Sequence, residues 1–298
     1  MVKLYFIIFS CVLFLTSNSQ AKINVFACEP EWKSLAEEIG QDKIKAYSAT
    51  SAFQDPHYIK AKPSLLAKIR LADLLICSGA DLESGWLPIL LQNASLDIQH
   101  GNIGNLMAAN YVDTLDKPEI LDRALGDIHP DGNPHIHLNP YNILKISEIL
   151  LKKLKKIDSQ NSDFYQTNYD DFIIKWQNSI TKWEIKAKNI EGVNVIQYHK
   201  SFSYFYNWLG LNQIATLEIR PGIAPTVKHL EKLIKLTEMS DIPYVNLSPY
   251  DPVDSAKWLH NKTGIKILTL PYTVGGNEES KDLFALYENM LDQLTSNL

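Results

Sequence analysis

Three histidines, His57, His135 and His199, each stand where a strand-like run gives way to a turn or a helix start. Their settings are Asp55-Pro56-His57, Asn133-Pro134-His135 and Tyr198-His199-Lys200-Ser201. Neutral imidazole is the commonest protein ligand for a borderline metal such as zinc, and three imidazoles with one oxygen complete a tetrahedral site. The remaining histidines are less telling. His229 and His260 fall in helix-like runs and read as surface residues, and His100 lies in a Gly- and Asn-rich loop. His129 and His137 flank His135 in a short His-rich stretch. If that stretch is extended, His135 and His137 point the same way, because side chains alternate along a strand. His137 is then a substitute ligand or a residue behind the ligands; otherwise it is a partly exposed side chain.

An internal repeat indicates which elements carry these histidines. Residues 23–50 and 193–220 align without a gap at an offset of 170. Ile23-Asn24-Val25-Phe26 matches Val193-Asn194-Val195-Ile196, Trp32 matches Phe202, Leu35 matches Phe205, and Ile39-Gly40 matches Leu209-Gly210. Each copy reads as an apolar strand, a turn, an amphipathic helix ended by glycine in the left-handed conformation, and a second strand. Both halves then continue alike, with Pro63-Ser64 and Pro225-Thr226 opening helix-like runs ahead of strands at 73–77 and 244–247. Alternation of this kind implies βαβ units and a parallel sheet. The repeat places His199 at the carboxyl edge of its strand, with Glu29 at the equivalent position of the first half. His57 and His135 are assigned to the same edge.

Between the halves, residues 161–188 contain neither Gly nor Pro. Phe164, Tyr165, Tyr169, Phe172, Ile173, Trp176, Ile180, Trp183 and Ala187 recur at intervals of three and four, the signature of one face of a long helix. At about 1.5 Å per residue it would be roughly 40 Å long, enough to run along both halves. The expected fold is therefore α/β: two (β/α) lobes with parallel sheets, 22–160 and 191–298, joined by one long linker helix within 161–190. A binding site belongs in the cleft between them, beyond the strands' carboxyl ends.

The chain has 298 residues and a net charge of -5, with no basic run that could track a phosphate backbone. Lys152, Lys153, Lys155 and Lys156 alternate with apolar residues as a solvated helix face does. Nucleic acid is therefore not an expected partner. Residues 1–21 read as a secretory signal peptide: Lys3, an apolar run over 4–15, and small residues at Ser19 and Ala21 before the cleavage point. Cys11 lies inside the apolar run, but Phe9 two positions earlier fits a lipoprotein cleavage site poorly, so a lipid-anchored form is not the expected one. Cys28 and Cys77 each end an apolar run. On neighbouring strands their sulfurs could meet, and in an exporting context a disulfide is expected; two buried thiols or a pair of metal ligands are the alternatives.

These motifs resemble those of the zinc- and manganese-specific periplasmic solute-binding proteins of bacterial metal ABC transporters. The resemblance covers 22–298 and is carried by Asp55-Pro56-His57, Ala72-Asp73-Leu74-Leu75-Ile76, Gly79-Ala80-Asp81-Leu82-Glu83 before Trp86, Asn133-Pro134-His135, and His199-Lys200-Ser201-Phe202-Ser203. It implies a metal held between two lobes by His57, His135 and His199. In similar manganese-selective proteins the third of these is usually a carboxylate, so His199 favours Zn²⁺ over Mn²⁺. The chain departs from the family twice. Many members add an Asp just before a Gly in the last strand-loop, but Leu270-Pro271-Tyr272-Thr273-Val274-Gly275-Gly276 has no carboxylate. Glu218, at the end of its lobe's second strand, is the preferred fourth ligand, a structural salt bridge being its alternative role, with water, Glu29 or His137 as substitutes. The second departure is that the His- and Asp-rich loop of many zinc receptors is absent, and only Thr50 to Gln54 precedes His57. If that loop collects metal or docks a metallochaperone in relatives, this chain must work without it or receive its metal through another surface.

The expected function is a non-enzymatic, monomeric periplasmic receptor. It captures zinc and passes it to an inner-membrane ABC permease. The competing reading is a secreted zinc-dependent hydrolase with a three-His site and an activated water. The chain has no His-Glu-x-x-His and no Gly-x-Ser-x-Gly, and only Glu29 or Glu218 could serve as general base.

Overall fold

The computed structural model describes residues 21–120, 126 and 128–297. The expected leader, Ala21 apart, and Cys11 lie outside the described residues. The first sheet holds β1 (Ile23–Ala27), β2 (Ile44–Ser48), β3 (Leu74–Cys77) and β4 (Asn105–Met107) in the order β2-β1-β3-β4. The second holds β5 (Asn194–Gln197), β6 (Asn212–Thr216), β7 (Tyr244–Leu247) and β8 (Lys266–Thr269) in the order β6-β5-β7-β8. All pairings are parallel. The two halves thus share one topology, as the repeat requires, and each reverses its strand order beside the repeat's first strand.

Helix α1 (Pro30–Gly40) follows β1, α2 (Pro63–Ile69) precedes β3, and the short α3 (Leu87–Leu91) follows it. Helix α4 (Pro140–Ile157) closes the first half. In the second half α6 (Ser203–Leu209), α7 (Val227–Met239), α8 (Asp254–Thr263) and the terminal α9 (Leu283–Ser296) play the corresponding parts. The two glycine stops differ. Gly210 takes the left-handed conformation expected of it, at φ 70°. Gly40 does not; it stays right-handed and Gln41 takes φ 41° instead. Glycine is needed at 40 for space, since a Cβ there would lie 2.4 Å from Ile44 Cγ2.

The linker is α5 (Ser162–Ala187), 26 residues and hence about 39 Å long. Tyr165, Phe172, Trp176, Ile180, Trp183 and Ala187 form its buried face. Trp176 and Trp183 meet edge to face with centroids 5.2 Å apart, and Trp183 stacks on Tyr287 of α9 at 4.9 Å. Both indole nitrogens are satisfied, Trp176 Nε1 donating to Pro140 O at 2.9 Å and Trp183 Nε1 to Glu288 Oε2 at 2.8 Å. One apolar core continues from β1 and β3 through α5 to β5 and α9. Each fully buried large side chain in it contributes about 1.5–3 kcal/mol. A shared core of this kind resists wide hinge motion between the lobes.

Cys28 and Cys77 are joined by a disulfide, with their Cα atoms 4.8 Å apart, which disposes of the thiol and metal-ligand alternatives in this structure. Parallel pairing of β1 with β3 brings them together: Ala27 is in register with Ile76, and Cys28 N donates to Ile76 O.

Candidate metal centre

Two of the three histidines are presented by the same local device. In Asp55-Pro56-His57 the Asp55 side chain accepts from His57 N at 3.0 Å, and in Asn133-Pro134-His135 the Asn133 Oδ1 accepts from His135 N at 3.0 Å. Proline lacks an N–H, so the first free donor after the Asp or Asn is the histidine's own, and the Asx turn fixes its backbone. Trp86 Nε1 anchors the first turn through Pro56 O at 3.0 Å. The second turn is tied across the cleft, where Asn133 Nδ2 donates to Lys200 O at 2.8 Å, next to His199, and Tyr204 Oη donates to Asn133 O at 2.7 Å. His199 follows β5 with φ -113° and ψ 162°, close to the -122° and 158° of Glu29 after β1. The repeat therefore extends to the backbone of the two equivalent positions.

The three imidazoles converge. Their ring centroids lie 5.5 Å (His57–His135), 5.5 Å (His57–His199) and 5.4 Å (His135–His199) apart, and one nitrogen from each lies within 4.8 Å of the other two. Every Nδ1 is engaged from behind. Asp55 Oδ1 lies 2.7 Å from His57 Nδ1, Glu218 Oε2 lies 2.8 Å from His199 Nδ1, and Tyr272 Oη lies 2.6 Å from His135 Nδ1. A carboxylate accepts only, so the two carboxylate-bound rings carry their protons on Nδ1 and offer a lone pair at Nε2. Partners of this sort fix tautomer and ring orientation and raise ligand basicity. His135 Nε2 is buried with no hydrogen-bond partner among the described residues. A buried polar atom left so costs about 1–3 kcal/mol unless a ligand satisfies it, which suits a cation seated there.

Burial, reinforced by His199 and His57 beside it, holds the His135 imidazole well below its usual pKa. At His199 burial acts in the same direction, but the hydrogen bond to Glu218 and the charges of Glu218, Asp251 and Asp55 outweigh it, so its pKa is raised. Burial would raise the Asp55 carboxyl, yet its contacts with His57 prevail and lower it. Two cavities adjoin the cluster. One of about 280 Å³ is lined by Asp55, His57, His199, Glu218 and Asp251, and one of about 220 Å³ by His129, His135 and His199.

The other expected residues stand elsewhere. Glu218 sits behind His199, its Oε2 also accepting from Gly222 N at 3.2 Å, and is not in the cluster of converging donors. Glu29 is buried away from the cluster, accepting from Ser78 N and Ser78 Oγ at 3.4 and 3.3 Å. Burial and the charges of Glu83 and Glu31 push its carboxyl well up, and burial pushes Glu83 to about 7. His137 is neither partly exposed nor parallel to His135. A 3₁₀ turn over Ile136–Leu138 replaces the extended stretch and turns its ring inward, with Nε2 3.0 Å from Tyr272 O and Nδ1 3.1 Å from Glu31 Oε1. His229 is in α7, half-buried, with Nε2 2.9 Å from Thr216 O. Sequence reasoning missed Tyr272 and Asp251, which join the site over long separations with no local signal. It also missed the role of Asp55, which the Asx-Pro spacing does signal.

The chain from residue 25 to 297 matches the family model described as "ZnuA: Zinc-uptake complex component A periplasmic". It is 24% identical over 290 residues to the manganese ABC transporter substrate-binding lipoprotein PsaA of Streptococcus anginosus, covering 95% of this chain and 91% of that one. It is 22% identical over 243 residues to the high-affinity zinc uptake system protein ZnuA of Bacillus subtilis (strain 168), covering 80% and 75%. Its fold is similar to a crystal structure of ZnuA at a TM-score of 0.75, with 19% identity over 92% of this chain and 98% of the other. It is also similar to a Mn-bound periplasmic metal binding protein from candidatus liberibacter asiaticus, at a TM-score of 0.74 and 17% identity over 92% and 99%. With the family model spanning both lobes and the linker helix, the chain belongs to the ZnuA family of periplasmic metal-uptake components.

Proposed function

We propose that this protein is an extracytoplasmic zinc receptor that presents Zn²⁺ to an inner-membrane ABC permease, using His57, His135 and His199 as ligands and acting as a monomer. One observation carries the reading: three imidazoles aim at one point, each with its Nδ1 held by a partner. Relatives named for manganese and for zinc both match, so the donor set decides the cargo. Imidazole nitrogen suits zinc, whereas manganese prefers carboxylate and water oxygen. A hydrolase would need Glu218 or Glu29 as base, and both are committed elsewhere, to His199 and to Ser78. The test is calorimetry of the mature protein with each ion. One zinc per chain, bound about 100-fold or more tighter than manganese, supports the reading; manganese binding as tightly as zinc refutes it.

Glu218 is assigned the part of a positioning residue. Glu218→Gln is expected to weaken zinc binding about 10–100-fold, the usual cost of losing a partner behind a ligand. It should also alter the pH dependence. A raised His199 pKa means that the ion must displace a proton the ring holds to higher pH than free imidazole does. Affinity therefore falls as pH drops from about 8 to 6. Neutral His135 adds no competition there. Without the Glu218 charge the His199 proton is lost at lower pH, so the fall moves to lower pH. Zinc affinity measured across this range for both proteins checks the sign, and an unmoved profile counts against the assignment.

For the amino terminus the relatives add weight to the anchored form, since several are named lipoproteins. Cleavage after Ala21 would give a chain starting at residue 22, whereas lipidation would leave Cys11 as the modified first residue. The intact mass of the mature protein separates the two, and the Ser19-Gln20-Ala21 site predicts the first.

A further inference from the structure

We propose that His129 is the fourth donor to the bound ion, so that the site is built from four imidazoles. This rests on the receptor reading above. His129 lies 72 residues from His57 in sequence, yet its Nε2 is 3.1 Å from His57 Nε2, with ring centroids 5.2 Å apart. It also shares the wall of one cavity with His135 and His199. It therefore borders all three ligands while standing just outside the converging cluster, which it touches through His57.

The chemistry of that contact is specific. Asp55 holds the His57 proton on Nδ1, so His57 Nε2 is an acceptor and His129 must donate its Nε2–H to it. The two rings therefore meet along the lone pair that an ion would use. When an ion takes the His57 lone pair this hydrogen bond is lost. His129 then presents its own lone pair in the other tautomer, with its proton on Nδ1 and no change of charge. The spacing to His57 already suits this, because two nitrogens each about 2.0–2.1 Å from a tetrahedral zinc lie roughly 3.3 Å apart; His129 has then only to close on the donors of His135 and His199, outside whose cluster it stands.

The nearby carboxylates each have one oxygen engaged: Glu218 Oε2 serves His199 and Gly222 N, Asp55 Oδ1 serves His57, and Asp251 Oδ2 accepts from Ser248 N at 2.6 Å. The His129 backbone is braced by its own turn, with Gly132 N donating to His129 O at 3.0 Å, and by Thr114 Oγ1 donating to Asp131 O at 2.5 Å. Close by, the chain abuts the second lobe, where a Cβ on Gly126 would lie 2.3 Å from Pro221 O. The fourth imidazole is therefore carried by the first lobe close to its border with the second, and its ligation would cover the ion from the cavity that His135 and His199 share. An all-nitrogen set also deepens the preference for zinc, because it removes the oxygen position that a harder ion would favour.

The test is X-ray absorption at the zinc edge, with one equivalent of Zn²⁺ on the full mature protein, together with affinity by chelator competition. Wild type, His129→Ala, His129→Gln and His57→Ala are compared. Four imidazoles in wild type, and three with one oxygen in both His129 variants, are expected, with affinity lowered about 10-fold or more in those variants. Affinity alone would not separate a ligand from a supporting residue; the imidazole count does. Three imidazoles in wild type, or a count unchanged by either His129 substitution, would overturn the proposal while leaving the three-His receptor intact. Undiminished binding in His57→Ala would instead overturn the receptor reading, and this inference with it.

Discussion

Replacing His135 with alanine is expected to lower zinc affinity by a hundredfold or more. Structural zinc sites bind with about 10–16 kcal/mol spread over four ligands, or about 3 kcal/mol each, and every 1.4 kcal/mol is tenfold. His135 should be the most sensitive of the three. It is fully buried, its pKa is held low by that burial, and its Nε2 has no other partner among the described residues. Losing it also strands Tyr272 Oη, which meets His135 Nδ1. Chelator competition on the folded variant measures the effect. A loss of less than about tenfold, or 1.4 kcal/mol, would remove His135 from the ligand set.

The second large effect concerns stability. The Cys28–Cys77 bond closes a loop of sequence separation 49, and for a loop of that length the chain-entropy estimate is about 4 kcal/mol. The Cys28→Ala/Cys77→Ala variant should lose roughly that much in urea unfolding. Both positions are buried at the point where the first sheet reverses strand order, so small cavities add to the loss. The histidine cluster should be affected less. His57 is reached from β2 through a loop tied to Cys28 by Thr50, whose N and Oγ1 both donate to Cys28 O. That backbone link does not require the sulfurs. Stability unchanged to within about 1 kcal/mol would show that the bond constrains little.

Much of the frame was legible because it is written twice or written periodically. The match of residues 23–50 to 193–220 appears in three dimensions as two sheets of one strand order, down to the shared backbone of Glu29 and His199. The aromatic spacing of 164–187 became the buried face of α5. The convergence of His57, His135 and His199 followed from assigning all three to one edge. What lay behind them was not legible, for a physical reason. The partner of His135 is Tyr272, 137 residues away, and nothing local to either residue records the contact. Glu218 was singled out as a ligand, or else a salt-bridge partner, because it ends a strand beside the site, and its carboxylate reaches the His199 ring. Position in a topology fixes which residues are near the site, and only side-chain direction decides which of them face the histidine cluster. His137 shows the same limit, because the extended backbone assumed for it is a 3₁₀ turn that aims its ring at Glu31.

Whether a single zinc ion sits between these histidines is tested most directly by anomalous diffraction at the zinc edge, from crystals of the mature protein grown with one equivalent of Zn²⁺. One strong peak is expected about 2.0–2.1 Å from the Nε2 atoms of His57, His135 and His199. A zinc peak elsewhere on the protein, with that point empty, would contradict the assignment.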